Sequence, residues 1–207
     1  DIIRSKTTIT KIYKVNNEIY YQKIYEGIYK LKNDEEILIT DNPLLKNNIL
    51  INIFSINNEL LFQTKELGFF IKQNGKFIKE WDSKLNTKLS NYSIYNSLQL
   101  KNGDFILGTV SNGIIYVNTK KEIEYTINQS NGLGNNTVLS LYEDKEENVW
   151  LGLDNGISNI NFNAPFRVYK DDLGILGSVY TSFIDDNILY LGTNQGLFYK
   201  NKDQKGA

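Results

Sequence analysis

The side chains best suited to acid–base chemistry in this 207-residue chain stand together at Glu143-Asp144, with Trp150 on the next apolar run. Paired carboxylates hydrolyse glycosides when they face each other across a cleft, about 5–10 Å apart. Glu143-Asp144 instead closes an apolar strand and opens a charged turn over 143–147, whose amides can satisfy both acids. Three further carboxylates, Glu26, Glu66 and Asp154, also fall in turns and are spread along the chain. Histidine and cysteine are both absent. Zinc sites, haem ligation, cysteine nucleophiles and histidine triads are therefore excluded, and no metal or cofactor is expected.

A second chemistry rests on hydrogen bonding. Asn112, Asn136, Asp154, Asn155, Asn194 and Gln195 lie in tight turns or links. Amides both donate and accept, which suits sugar hydroxyls. The same residues are also turn formers, so a purely local role competes with ligand binding at each position. Trp81 ends an apolar run, where its ring either stacks on a ligand or covers a sheet edge.

Composition narrows the partners. The chain is 41% hydrophobic and 23% charged, a globular balance. Its 23 basic residues nearly match its 24 acidic ones. Arg4 and Arg167 are the only arginines. Direct nucleic-acid binding by this segment is not expected, since it needs a basic excess rich in bidentate arginine. No apolar run reaches the 18 or so residues of a membrane span. The chain opens on Asp1 without methionine or an apolar leader, as a processed chain or a fragment would.

The elements that position these residues repeat. Glycines at Gly27, Gly68, Gly113, Gly156 and Gly196 recur every 40–45 residues. Around each lie short runs rich in Ile, Val, Tyr and Phe, separated by Asn-Asn, Asn-Gly or Asp-Asn turns. No long window keeps a helical period, so almost no helix is expected. Four short strands per unit at this spacing specify an all-β fold, a β-propeller of about five four-stranded antiparallel blades. The blades fall at about 8–41, 48–82, 92–128, 137–170 and 178–207, in one domain. The fourth blade takes 166–169 as its outer strand, while the fifth stops without one. Residues 2–4 read as a further outer strand, belonging either to a preceding blade of a larger ring or to a five-bladed closure.

Within a unit, Trp150 shares its position with Tyr20, Leu61, Ile106 and Tyr190. This places its ring between blades, where replacement by alanine would cost about 3–5 kcal/mol. Gly108, Gly152 and Gly192 sit inside strands, which signals close approach between blades.

The run V-L-S-L-Y-E-D-K-E-E-N-V-W-L-G-L-D-N-G-I from Val138 resembles the two-component regulator propeller repeat. I-L-Y-L-G-T-N-Q-G-L-F-Y from Ile188 resembles it nearly as well, and F-I-L-G-T-V-S-N-G-I-I-Y from Phe105 is recognisable. The first two units lack the internal Gly-Thr and the Trp. The resemblance implies an extracytoplasmic sensor piece of a membrane-anchored bacterial protein, commonly in a ring of more than five blades. It implies a membrane span with a histidine kinase or a helix-turn-helix output domain elsewhere in the protein, and carbohydrate fragments as ligands.

The expectation is thus a non-catalytic, ligand-sensing propeller domain of a bacterial signalling or transcription-regulating protein. Its partners would be a small molecule or oligosaccharide, and further blades or an output domain of the same protein. Open blade edges would also favour a homodimer. The alternatives are a propeller-fold glycosidase or lyase, and a scaffold that binds another protein.

Overall fold

The computed structural model describes residues 9–73, 75, 77–164 and 174–201. They fall into two compact units, one ending at Phe162 and the other beginning at Asn163. The first unit holds four antiparallel sheets, each a meander in chain order. Strands β1 (Ile9–Val15), β2 (Glu18–Lys23), β3 (Gly27–Lys32) and β4 (Glu35–Thr40) form the first blade. Strands β5 (Leu50–Ile56), β6 (Glu59–Thr64), β7 (Gly68–Gln73) and β8 (Phe77–Glu80) form the second. The third comprises β9 (Ile94–Gln99), β10 (Phe105–Thr109), β11 (Ile114–Val117) and β12 (Ile123–Ile127). The fourth has β13 (Val138–Glu143), β14 (Asn148–Leu153) and β15 (Gly156–Asn161). The second unit is one sheet of β16 (Val179–Asp185), β17 (Ile188–Thr193) and β18 (Gly196–Asn201). The outer strands expected at 2–4 and 166–169 lie outside the described residues.

Hairpin chemistry sets the registers. Asn16-Asn17, Asn33-Asp34, Asn57-Asn58 and Asp186-Asn187 all hold φ between 41° and 70°. Positive φ at both central positions matches the twist of the flanking strands, and Asn and Asp tolerate it.

In the first unit the innermost strands β1, β5, β9 and β13 are neighbours, and the blades stack face to face. Each second strand carries two adjacent large residues that point to opposite faces, as the strand period requires. Leu61 enters the cluster between blades two and three, while Phe62 enters the one between blades one and two. Ile106 and Leu107 divide in the same way between the third–fourth and second–third seams. A blade buried on both faces needs this doubling, which blades two and three carry as Leu-Phe and Ile-Leu.

Three expectations are qualified. Leu61 and Ile106, at the position of Trp150, are 0% exposed because the next blade of their unit covers them. Blades one to three each have the next blade of their unit on that face, and blade four is the last of its unit. Within its own blade the Trp150 indole N–H donates to Asp144 Oδ2 at 2.8 Å. Second, the links contain helix. Helix α1 (Pro43–Lys46) is capped by Asn42 and opened by Pro43. Helix α2 (Ser83–Leu89) is capped by Asp82 and buries Leu85 and Leu89, one turn apart. A 3-10 turn follows at Gln129–Asn131 with a reciprocal Asn128–Asn131 capping box. These elements are too short for a 12-residue periodicity window to register.

Third, the strand glycines do not share one cause. A Cβ on Gly108 would lie 2.9 Å from Val138 Cγ1 on the next blade, as close approach between blades predicts. Gly152 and Gly192 instead abut Ser140 and Thr181 of their own sheets. Register places Gln22 and Gln63 at this position in the first two blades. Trp81 packs against Phe69 and Phe105 at centroid distances of 5.5 and 5.6 Å, in the seam of blades two and three. The Lys121 ammonium covers the Trp81 ring at 4.9 Å, so that tryptophan serves the core.

Candidate functional site

The turns between second and third strands are tied by backbone to the links. Lys65 N–H donates to Ile49 O at 2.8 Å, and Val110 N–H to Ser93 O at 3.0 Å. Asp154 N–H donates to Thr137 O, and Asn194 N–H to Ser178 O, both at 3.2 Å. In the first blade the donor is Tyr25, to Lys46 O at 2.9 Å. A threonine at the end of the second strand staples three of these turns. The Thr64, Thr109 and Thr193 hydroxyls donate to the carbonyls of Gly68, Gly113 and Gly196. They also accept from the N–H groups of Leu67, Asn112 and Gln195. The threonine of the recurring L-G-T run is therefore a turn lock, a role that sequence reading missed. Thr64 keeps it although its blade has Gln63 where the repeat has glycine.

This frame brings some of the expected site residues together. Gly113 N–H, next to Asn112, donates to Asn136 O at 2.8 Å. Thr137 Oγ1 donates to Val110 O at 2.7 Å, while Thr137 O accepts from Asp154. Asn112, Asn136, Asp154 and Asn155 thus share one stretch of rim across blades three and four. Asn136 Oδ1 is committed to the Gln129 N–H at 2.8 Å, and Asn112 Oδ1 to Ser111 at 3.0 Å. Asp154 and Asn155 are exposed. Asn194 and Gln195 belong to the second unit, where Asn194 Oδ1 accepts from Ser178 N–H at 2.8 Å. Asn136 and Asn194 are therefore structural through their side-chain oxygens.

A cleft of about 290 Å³ opens on the same kind of turn in blades one and two. Ile24, Tyr25, Asn47, Asn48, Ile49, Lys65 and Glu66 line it. Of the three turn carboxylates singled out above, Glu66 alone lines this cleft.

The acid pair is spent on structural bonds, Asp144 within its own turn and Glu143 across to blade three. Asp144 accepts from Asn148 N–H at 2.8 Å and from the Trp150 indole. The indole bond, followed by those from Asn148, holds the Asp144 carboxyl below the usual carboxylate range. Glu143 Oε2 accepts from Lys101 N–H in blade three at 2.9 Å. A carboxylate held ionised by structural donors is a poor general acid.

One other charged group is unusual. Lys23, buried, donates to Glu36 Oε2 at 2.7 Å, and Tyr21 OH donates to Glu36 Oε1 at 2.5 Å. The Lys23 ammonium also lies 4.7 Å from the Tyr29 ring centre. The two hydrogen bonds, Lys23's first, lower the Glu36 pKa. Burial, and then the bond to Glu36, raises that of Tyr21.

Comparison with known proteins agrees with this architecture. Residues 132–155 match the two component regulator propeller family. No curated protein matches the chain. Among solved structures, the chain resembles the extracellular domain of a putative hybrid two component system from B. thetaiotaomicron. The TM-score is 0.62 at 19% identity, covering 96% of this chain and 27% of that one. The extracellular domain of a putative one component system from the same organism gives 0.57 at 22% identity, covering 96% and 28%. PorZ of Porphyromonas gingivalis, a surface component of the type-IX secretion system, gives 0.51 at 16% identity, covering 95% and 32%. The chain thus spans about a quarter to a third of the length of these structures. No helix among the described residues is long and apolar enough to cross a membrane. The chain thus has the fold of these propeller structures, and one copy of the two component regulator propeller pattern lies at 132–155, on the link into blade four and its strands β13 and β14.

Proposed function

We propose that the chain is a non-catalytic, ligand-sensing propeller segment of an extracytoplasmic, membrane-anchored bacterial signalling protein. The observation that carries this reading is the contrast between backbone and side chains on the rim. The N–H to C=O locks recur from blade to blade. The side chains they present differ: Glu66, Ser111, Asn155 and Gln195 occupy one turn position. A constant frame with variable polar groups is the arrangement expected of a recognition surface built on a rigid scaffold. The spent acid pair supports the absence of catalysis. Amides and carboxylates on the rim of the first unit favour a hydroxyl-rich ligand such as an oligosaccharide, with Asn112, Asp154 and Asn155 as contacts.

Titration calorimetry of the chain against neutral and acidic oligosaccharides tests the binding step. A reporter assay in the full-length protein tests coupling to output. The reading requires at least one ligand that binds the chain and shifts the reporter. A broad panel that does neither would overturn it.

A further inference from the structure

We infer that the cleft between blades one and two is a saccharide subsite, with Tyr25 as its stacking platform. The inference rests on the sensor reading above and assigns it a place. Tyr25 is 70% exposed and holds φ at 66°. A bulky aromatic residue at positive φ is a backbone outlier, and such strain persists where surrounding contacts impose it. Here the constraint is the bond from Tyr25 N–H to Lys46 O at 2.9 Å. Lys65, Val110, Asp154 and Asn194 make the equivalent bond in the other blades. None is aromatic, so the repeat itself does not call for a ring. A solvated turn gains nothing from an exposed tyrosine that asparagine would not supply with less strain.

The rest of the cleft completes the chemistry. The side chains of Asn47, Lys65 and Glu66 line it and make no hydrogen bond or ion pair among the described residues. The Tyr25 hydroxyl is likewise unengaged there. An apolar ring face beside an amide, a carboxylate and an ammonium matches a pyranose, whose C–H face stacks while its hydroxyls bond outward. One positive and one negative side chain leave the cleft without net charge, which favours a neutral sugar. At about 290 Å³ the cleft holds a small ligand rather than a chain, so a longer saccharide would seat one residue here.

The test uses the whole chain with hexasaccharides of neutral glucan, xylan, mannan and galactan. Binding is read by calorimetry and by saturation-transfer NMR at the tyrosine signals. The decisive variant is Tyr25→Asn, because asparagine tolerates the positive φ. The expected result is a Tm at or above that of the wild type together with affinity lowered about tenfold or more. Glu66→Gln should weaken binding by roughly three- to tenfold without moving the Tm. If Tyr25→Asn binds as tightly as the wild type while Asn155→Ala does not, the sensor reading stands and this subsite is wrong. If the Tm of Tyr25→Asn falls with affinity unchanged, the ring serves packing and the inference fails. If the wild type binds none of the four oligomers, the neutral-saccharide assignment falls, and acidic oligosaccharides then decide whether the sensor reading falls with it.

Discussion

Two glutamines at one repeat position should respond oppositely to the same substitution. Gln22 and Gln63 both replace the strand glycine of the later blades, and both are buried, Gln63 to 1% exposure. Gln22 joins blades one and two. Its Nε2 donates to Leu45 O at 2.8 Å and Asn48 O at 2.7 Å, and its Oε1 accepts from Leu50 N–H at 3.1 Å. Neither polar atom of Gln63 has a hydrogen-bond partner among the described residues. The link after blade two turns its own amide, Asn86, onto Phe69 instead. Methionine is close to glutamine in shape, so Gln22→Met and Gln63→Met isolate the hydrogen bonds. Gln22→Met strands the Leu45 carbonyl and the Leu50 N–H, both on buried residues, while half-buried Asn48 can turn to water. At about 1–3 kcal/mol for each stranded group, offset by the apolar gain, the net loss is about 2–4 kcal/mol. For a chain of this size that lowers the Tm by roughly 5–15 °C. Gln63→Met removes an unpaired buried amide and should raise stability by about 1–2 kcal/mol, or roughly 2–8 °C. Thermal melts followed by circular dichroism at one protein concentration read both. Equal destabilisation by the two variants would refute the reasoning.

Other substitutions probe the frame more simply. Phe105→Ala opens a cavity among Phe54, Phe69 and Trp81 and should cost about 3–5 kcal/mol in urea unfolding. Asn86→Ala leaves the Phe69 N–H without its 2.7 Å acceptor, whereas Phe69 O keeps the Trp81 N–H; a loss of about 2–3 kcal/mol is expected by the same measurement. Gly108→Ala presses a methyl onto Val138 and should lower the Tm, while Gly75→Ala, with open space around it but φ at 66°, should cost only the backbone strain of about 1 kcal/mol. The lowered pKa of Glu36 gives an acid signature. Its stabilising contribution is complete above the ordinary carboxyl value of 4.5 and is lost as pH falls through the lower folded value. Melting between about pH 5 and pH 3 should therefore fall less steeply in Glu36→Gln than in the wild type.

Much of the fold was legible because the blade is a local object. Asn16-Asn17 and Asn57-Asn58 set their hairpins through φ, which depends on the residues themselves. Asp144 was also readable, since it finds Asn148 four residues away, whereas Glu143 accepts from Lys101 of blade three, a partner no local pattern shows. Short helices were less visible, although Asp82 before Leu85 and Leu89 is a cap followed by an i,i+4 apolar pair. Tyr25 was passed over because a tyrosine in a turn carries no signal until its φ and its exposure are known. The Thr64, Thr109 and Thr193 locks went unrecognised because the bond they make closes only when the turn has formed.

The sequence by itself determined the repeat, the strand faces and the turn types, because alternation along a strand and φ preference act over two to five residues. It also removed whole classes of chemistry through the absence of histidine and cysteine. Tertiary structure alone decided which of the equivalent residues are buried. Leu61, Ile106 and Trp150 hold one place in the pattern, yet only the first two are covered within their unit. Burial is a property of what lies across the seam, and no residue encodes its neighbour on another blade.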